Sequence, residues 1–312
     1  MKLSHPTASN DDPSALSWKP TAPSVPVAPL ALELFSGAGG AACGLARAGF
    51  GHALCVEWDE DAHRIATAAG LPSWHGDVRA AHGAAGWIDI LEERIVAARG
   101  ALRPLDLVWA SPPCQDFSSA GKREGAAGSQ NGWPWAWAAI DALRERGLGP
   151  TWLLAENVPG LVQHNATAHR AAGGAAGRGK PQPNPALARS CPACYFHTGI
   201  LKEAASRFAH VSWRKLDAAA YGAPQNRNRI ILAAGPVPFP WPPATTSQEA
   251  LAWAKWGDPL EDGGTYWHEH RLSLTAATPS RSESRALARV KAGDPAAVAV
   301  LALPRWRTVR DA

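Results

Sequence analysis

The stretch 105-LDLVWASPPCQDFSS-119 determines how the chain is organised. Its first part, Leu105–Ala110, is short, apolar and followed at once by turn-forming residues, a pattern typical of a buried strand. Pro112 and Pro113 end the strand, because proline fixes a backbone torsion and has no amide hydrogen to donate. Cys114 is therefore predicted just beyond the carboxyl end of a strand, where open α/β sheets bind ligands. A thiol at that position could be a nucleophile or a buried structural cysteine.

A second strand-and-loop unit is predicted nearer the amino terminus. Leu30–Phe35 reads as the first strand, buried on both faces apart from Glu33, and the glycine-rich loop Ser36–Gly40 follows directly. Helical composition then continues to Gly49, so the unit has the strand-glycines-helix order of a Rossmann-like cofactor site. The next strand, Ala53–Glu57, ends in an acid. An acid about 20 residues after such a loop can bind ribose hydroxyls, although a solvated carboxylate would give the same pattern.

Two later segments carry further polar groups at strand ends. Thr151–Glu156 is a short apolar strand, and its final glutamate could be a solvated end-cap or a general acid with a raised pKa. Arg227 and Arg229 precede the apolar strand Ile230–Ala234. Side chains two residues apart on extended backbone point to the same side, and arginine can bind a base carbonyl or a phosphate. A pair of solvated charges is the alternative.

Taken together, these motifs resemble the cytosine-C5 DNA methyltransferase family. The shared parts occur in the order that the family has: FSGAGG, Glu57-Trp58, Gly76-Asp77-Val78, Pro-Pro-Cys-Gln, Glu156-Asn157-Val158 and Gln-Asn-Arg-Asn-Arg. The resemblance covers residues 30–235, which are interpreted as an S-adenosylmethionine-binding catalytic domain. It implies a Rossmann-like, doubly wound, mostly parallel α/β sheet of the class I S-adenosylmethionine-dependent methyltransferase fold, followed by a short C-terminal lobe.

The resemblance implies an S-adenosylmethionine site around the glycine loop. Glu57 would bind the ribose, Phe35 and Trp58 would pack on the adenine, and Asp77 would accept a hydrogen bond from the exocyclic amine. The loop would face the methionine part, because this cofactor has no phosphates. The implied cofactor-binding residues are Phe35, Ser36, Gly37, Gly39, Gly40, Glu57, Trp58, Asp77, Val78 and Pro113.

The resemblance also implies covalent catalysis on cytosine in double-stranded DNA. Cys114 would add to C6 of the base, Glu156 would hydrogen-bond or protonate N3, and Arg229 would hold the O2 carbonyl with Arg227 in support. The reacting carbon is inaccessible in a stacked duplex, so the base would have to be flipped out. The Gly- and Ser-rich loop Phe117–Trp133 would close on the DNA.

Residues 165–198 are predicted to be a basic insertion that the common family pattern does not require. The segment is rich in Gly, Ala and Pro, and it contains Lys and Arg but no Asp or Glu. A C-x-x-C pair closes it and has the spacing of zinc ligands, with two unpaired thiols as the alternative. The candidate ligands are Cys191, Cys194, His197 and, as the fourth, either His164 or His169.

The two ends of the chain are predicted to lie outside the catalytic domain. Residues 1–29 are proline-rich and lack apolar periodicity, which indicates a disordered tail. Residues 236–312 would form a linker and a partial DNA-recognition lobe, in which Arg281, Arg285 and Arg289 share one helical face. The family pattern usually continues into a target-recognition segment and a late Gly-Asn motif. Neither is found near the C-terminus of this sequence, so the expectation is either that the polypeptide is truncated or that a second polypeptide supplies that part.

Composition limits the compartment and the classes of partner. The chain of 312 residues is 46% hydrophobic, yet its apolar runs are too short to span a bilayer, and no secretory signal is visible. Five scattered cysteines argue against a disulfide framework. A cytoplasmic protein with no membrane partner is predicted. The net charge of +4 permits a polyanionic partner without requiring one.

Three other functions are compatible with parts of the pattern. An RNA cytosine-C5 methyltransferase would share Cys114 and Glu156. An amino-group methyltransferase should carry an aromatic residue after the prolines, where this chain has Cys114. A methyltransferase-like DNA-binding subunit without activity is the non-enzymatic alternative.

Overall fold

A computed structural model describes most of the predicted catalytic domain. Cys114, most of the predicted lid 117–133 and residues 1–27 of the predicted tail lie outside the described residues. The described residues are 28–82, 86–113, 128, 131–172, 182–247, 251, 279, 281–292 and 294–295.

Seven strands form one mostly parallel sheet with the order β3-β2-β1-β4-β5-β7-β6. The first five strands are parallel, and β7 lies antiparallel between β5 and β6. This order confirms the predicted doubly wound, mostly parallel α/β sheet. The strands are β1 Leu30–Leu34, β2 Gly51–Glu57, β3 Ser73–His75, β4 Leu107–Ala110, β5 Trp152–Asn157, β6 His210–Asp217 and β7 Asn228–Gly235.

Helices cover the sheet and begin or end at recognisable local signals. The Asp59 carboxylate accepts a hydrogen bond from the Ala62 N–H at 2.8 Å and so caps one helix. Gly100, at φ 74°, ends another in the left-handed conformation that favours glycine. The described α-helices are α1 Gly40–Arg47, α2 Glu60–Ala68, α3 Trp87–Arg99, α4 Trp133–Glu145, α5 Ala166–Ala171, α6 Pro192–Tyr195, α7 Leu201–Ala205 and α8 Arg281–Lys291.

The core lies between the central strands and their covering helices. All five residues of β1 are buried, because helices pack on both faces of a parallel sheet. Trp87 in α3 and Trp133 in α4 are among the largest fully buried side chains. The strand order reverses between β1 and β4: β2 and β3 lie on one side of β1, and the later strands lie on the other. Ligands of open α/β sheets bind at such a topological switch point.

The expectation that Glu33 escapes burial is wrong. Its side chain is 0% exposed, and Glu33 Oε1 lies 3.3 Å from Nδ1 of His52, whose side chain is equally inaccessible. The reason is that β1 is a central strand with no solvent-facing side. Periodicity identifies the strand, but it does not reveal that β2 places a polar partner beside the carboxylate.

Most element boundaries agree with the sequence-based expectation to within two residues. The sequence of Gly199–Phe208 predicts a separate helix. In the structure this segment is the end of a longer helical stretch that begins at Pro192 and contains a π-helical turn, Phe196–Ile200. The short elements α2 and β3 had no sequence prediction. Within the described ranges, no helix combines the length and apolar content of a membrane span.

Candidate active site

A cleft with a volume of about 780 Å³ opens at the carboxyl ends of β1, β4 and β5. The glycine loop after β1 forms one side of the cleft, and Ser111 follows β4 on its floor. Glu156 from β5 and the two arginines Arg227 and Arg229 form another side. The tertiary structure therefore brings the predicted cofactor loop and three of the predicted catalytic residues to one cavity.

The glycine loop is tied to the end of β2 through the carboxylate of Glu57. The Gly37 N–H donates to Oε2 at 2.6 Å, and the Asp59 N–H donates to Oε1 at 2.8 Å. Glu57 is only 7% exposed, so these bonds compensate the burial of its carboxylate. Each carboxylate oxygen can accept a second hydrogen bond, which leaves capacity for the hydroxyls of a ligand.

The backbone of the loop requires glycine at position 39. Gly39 has φ +90°, and a Cβ at that position would lie 2.3 Å from Cδ1 of Leu71. Phe35, directly before the loop, is the one non-glycine residue among those described that has a positive φ, at 58°. The turn from β1 into α1 is thus tight, and its residues Phe35–Ala38 line the cleft.

Among the residues predicted to contact adenine, Phe35 lines the cleft, whereas Trp58 and Asp77 lie outside its lining. Trp58 is 71% exposed, a rare state for tryptophan, and it follows the buried Glu57 directly. Asp77 holds the Arg79 guanidinium, with Arg79 Nε 3.0 Å from Oδ1 and Nη2 2.5 Å from Oδ2, and this pairing lowers the pKa of Asp77. The Val78 side chain is buried in the core, and its carbonyl accepts from Trp87 Nε1 at 2.9 Å.

Glu156 and Arg229 form the charged pair of the cleft. Arg229 Nε lies 2.5 Å from Glu156 Oε1, because β7 runs antiparallel beside β5. Burial raises the pKa of Glu156, and the nearby cations of Arg229 and Arg227 only partly oppose this effect. A raised pKa favours the protonated form that a general acid needs.

Two polar residues that were not predicted as site residues organise the loops of the cleft. Buried Asn157 donates from Nδ2 to the Pro112 carbonyl at 3.2 Å and so joins the loop before Cys114 to the strand of Glu156. Asp217, at the end of β6, accepts from the Arg227 N–H at 2.9 Å and from Asn228 Nδ2 at 3.0 Å. The signal for Asn157 was its place in the Glu-Asn-Val motif. A lone acid at a strand end gave little signal for Asp217.

Pro113, the last described residue before Cys114, lies beside the start of α4. A Cβ added at Gly132 would lie 2.3 Å from Cδ of Pro113. Asn131, just before the N-cap residue Gly132, accepts from the Trp133 N–H at the start of α4 at 3.3 Å. Pro113 lies against this turn, outside the lining of the cleft.

A second cluster of side chains lies near the predicted insertion. His164, His169, Cys191 and Cys194 place one potential ligand atom each within 4.8 Å of one another. His197 is outside this group, since its ring packs edge-on against Phe196 and Trp213. The structure therefore brings together two of the three residues first predicted for zinc, and both alternative histidines join them.

Comparison with known proteins identifies the family of the central region. Residues 31–171 match the model of C-5 cytosine-specific DNA methylase. The chain is 34% identical to Type II methyltransferase M2.BsuMI of Bacillus subtilis over 129 residues, which are 41% of this chain and 26% of that protein. It is 29% identical to Type II methyltransferase M.NaeI of Lentzea aerocolonigenes over 241 residues, 74% of this chain and 45% of the relative. With Type II methyltransferase M.AquIA of Picosynechococcus, the identity is 28% over 207 residues, 64% of this chain and 69% of the relative.

These matches differ in how much of each relative they include. The chain spans 26% of M2.BsuMI and 45% of M.NaeI, so less than half of either protein is represented. The matched region 31–171 contains the glycine loop, the Pro-Pro-Cys-Gln motif and the Glu-Asn-Val motif. The family resemblance predicted from these motifs is thereby confirmed.

Proposed function

We propose that this chain is a C-5 cytosine-specific DNA methylase and transfers a methyl group from S-adenosylmethionine to C5 of a flipped-out cytosine in double-stranded DNA. The observation that carries the proposal is the cleft in which the glycine loop faces the Glu156–Arg229 pair. A methyl donor held by the loop and a base held by the pair would occupy the same cavity.

The residues around the loop fit S-adenosylmethionine. The buried Glu57 carboxylate has acceptor capacity left for two ribose hydroxyls. The exposed ring of Trp58 offers a flat apolar face to an adenine. Asp77 is held in an ion pair with Arg79, so its carboxylate stays ionised and able to accept from an amine. When bound, the cofactor supplies an electrophilic methyl group on its sulfonium.

The chemistry of cytosine explains the pairing of an acid with a guanidinium. C5 is a weak nucleophile until a thiolate, here that of Cys114, adds to C6 and makes the ring enamine-like. The ring nitrogen N3 and the carbonyl oxygen O2 lie on one edge of the base, so a protonated Glu156 and the Arg229 guanidinium could bind them side by side. The hydrogen bonds that Glu156 and Arg229 donate become stronger as negative charge develops on this edge of the base. After C5 takes the methyl group, water accepts the C5 proton. The electron pair left behind forms the C5–C6 double bond, which expels Cys114 as the thiolate and restores the aromatic ring.

A methyl-transfer assay tests the proposed activity. We expect purified chain and isotopically labelled S-adenosylmethionine to produce 5-methylcytosine in duplex DNA, identified by mass spectrometry after enzymatic digestion. A parallel reaction with transfer RNA distinguishes the RNA methyltransferase alternative, which shares Cys114 and Glu156. Product only in RNA, or methylation of an exocyclic amine, would contradict the proposal.

Replacement of Glu57 by alanine is expected to weaken cofactor binding by about 1–3 kcal/mol, because the ribose hydroxyls lose their buried acceptor. Calorimetric titration of S-adenosylmethionine would measure the change. Asp59→Asn is the matched control, since the neighbouring asparagine can still cap α2 and Asp59 has no proposed contact with the cofactor. Equal affinity of Glu57→Ala and wild type for S-adenosylmethionine would contradict the assignment of Glu57 to the cofactor site. Thermal unfolding of both variants separates this effect from loosening of the loop that Glu57 ties.

A further inference from the structure

Four buried or half-buried ligand atoms converge beside the Glu-Asn-Val strand. His169 Nε2 lies 3.4 Å from Cys191 Sγ and 3.3 Å from Cys194 Sγ. His164 Nδ1 lies 3.2 Å from the same His169 nitrogen and 3.8 Å from Cys191 Sγ. Both sulfurs are fully buried, and both cysteines are free of disulfide bonds.

These separations agree with those of ligands around a tetrahedral zinc ion. With Zn–N of about 2.0–2.1 Å and Zn–S of about 2.3 Å, tetrahedral ligand atoms lie about 3.3–3.8 Å apart. Four of the six separations among these atoms run from 3.2 to 3.8 Å, and all six are within 4.8 Å. The two thiols and two imidazoles are thus spaced as the corners of one coordination tetrahedron would be.

Backbone amides support both sulfurs from outside the cluster. The Asn165 N–H donates to Cys191 Sγ and the Asn184 N–H donates to Cys194 Sγ, each at 3.3 Å. Hydrogen bonds from amides favour the thiolate, which is the form that binds a metal. Such outer contacts orient the ligands of metal sites, and two thiols buried without a metal do not require them.

The spacing along the chain independently indicates a structural metal site. The two histidines form H-x₄-H and the two cysteines form C-x₂-C, both within the ranges found in Cys₂His₂ zinc sites. We propose that His164, His169, Cys191 and Cys194 bind one structural zinc ion. A set of two sulfur and two nitrogen ligands selects zinc among the common divalent metals, and four protein ligands leave no open position for catalysis.

The proposed ion would connect the segment after the catalytic acid to the turn before α4. The Ala193 N–H, within the C-x-x-C, donates to the Gln163 carbonyl at 3.2 Å. Tyr195, one residue beyond, accepts from Asn131 Nδ2 at 3.0 Å. Asn131 also accepts from the N–H of Trp133, the first residue of α4. Zinc would therefore close the ends of the basic segment between His164 and Cys191 and hold them against the active-site loops.

Metal content and ligand substitution test this inference on the full chain. We expect close to one zinc ion per chain by elemental analysis, and a fall in melting temperature when a strong chelator removes it. His169→Ala and Cys194→Ser should each lose the zinc. His197→Ala and Cys43→Ser are matched controls, because His197 lies in the same region outside the cluster and Cys43 is an exposed thiol in α1. Both controls should retain the metal.

Replacement of zinc by cobalt provides a readout on the wild-type chain that does not depend on folding of the variants. A tetrahedral cobalt site with two thiolates gives intense visible absorption together with a thiolate charge-transfer band, and both should appear and then disappear when zinc is added back. Less than about a tenth of an ion per chain after incubation with zinc, together with no cobalt spectrum, would overturn the inference. Loss of metal in His197→Ala with retention in His169→Ala would overturn this ligand set.

Discussion

Glu156→Gln is expected to slow methyl transfer to cytosine by about 10²–10⁴-fold, the contribution typical of a general acid. The glutamine retains the shape of the side chain and its place beside Arg229, but it cannot deliver a proton to N3. Affinity for DNA should change little, since contacts to phosphates dominate it. Single-turnover methyl transfer with saturating cofactor and DNA measures the chemical step separately from binding.

The pH dependence of the rate provides a second test of the role of Glu156. Burial raises the pKa of this carboxyl, so its protonated form persists to higher pH than for an ordinary glutamate. The wild-type rate should decline as pH rises through that pKa, because the general acid loses its proton. Glu156→Gln should lack this decline. In Arg229→Ala the decline should move to higher pH, since the substitution removes a cation that lowers the pKa of Glu156.

Trapping with 5-fluorocytosine tests the covalent step that Glu156 assists. Fluorine at C5 cannot leave as a proton does, so a Cys114–C6 adduct should accumulate after methyl transfer and survive denaturation. The adduct should require S-adenosylmethionine, form more slowly in Glu156→Gln, and be absent in Cys114→Ser, because a serine hydroxyl is a far weaker nucleophile near neutral pH. An adduct that persists in Cys114→Ser would contradict the mechanism. Glu203→Gln is the control, since this exposed glutamate only pairs with Arg207.

Trp87→Ala is expected to lower the free energy of unfolding by about 3–5 kcal/mol, the range for truncation of a buried large aromatic side chain. Trp87 is completely buried at the start of α3 and packs in the main core cluster. Its Nε1 also donates to the Val78 carbonyl at 2.9 Å, which links the core to the loop of Asp77. Chemical denaturation monitored by circular dichroism would measure the loss.

Two matched variants separate the contributions to this loss. Trp87→Phe keeps an aromatic ring in the core but removes the donor to Val78, so it should destabilise less than Trp87→Ala. Trp58→Ala removes the same side-chain type from a site that is 71% exposed, and its effect should stay within about 0.5 kcal/mol. Equal destabilisation by Trp58→Ala and Trp87→Ala would contradict the burial described for these residues.

Sequence by itself determined the order of strands and loops in the catalytic domain. Short apolar runs that stop at glycine, proline or an acid identify β1, β2, β4, β5 and β7, because buried parallel strands require continuous hydrophobicity and abrupt turns. The amphipathic pattern of Trp87–Arg99 predicts a helix, and α3 has the same bounds. Motif order then indicated which strand ends carry polar groups, and the parallel neighbours β4 and β5 place those ends at one edge of the sheet.

Only the tertiary structure decided which polar groups meet. The burial of Glu33 beside His52 and the contact between Glu156 and Arg229 depend on side chains from different strands. The same holds for the metal cluster, where the sequence could not choose between His164 and His169 or exclude His197. The physical reason is that periodicity reports which face of an element is apolar. Distances between polar atoms are set later, when the strands acquire their register and the loops pack.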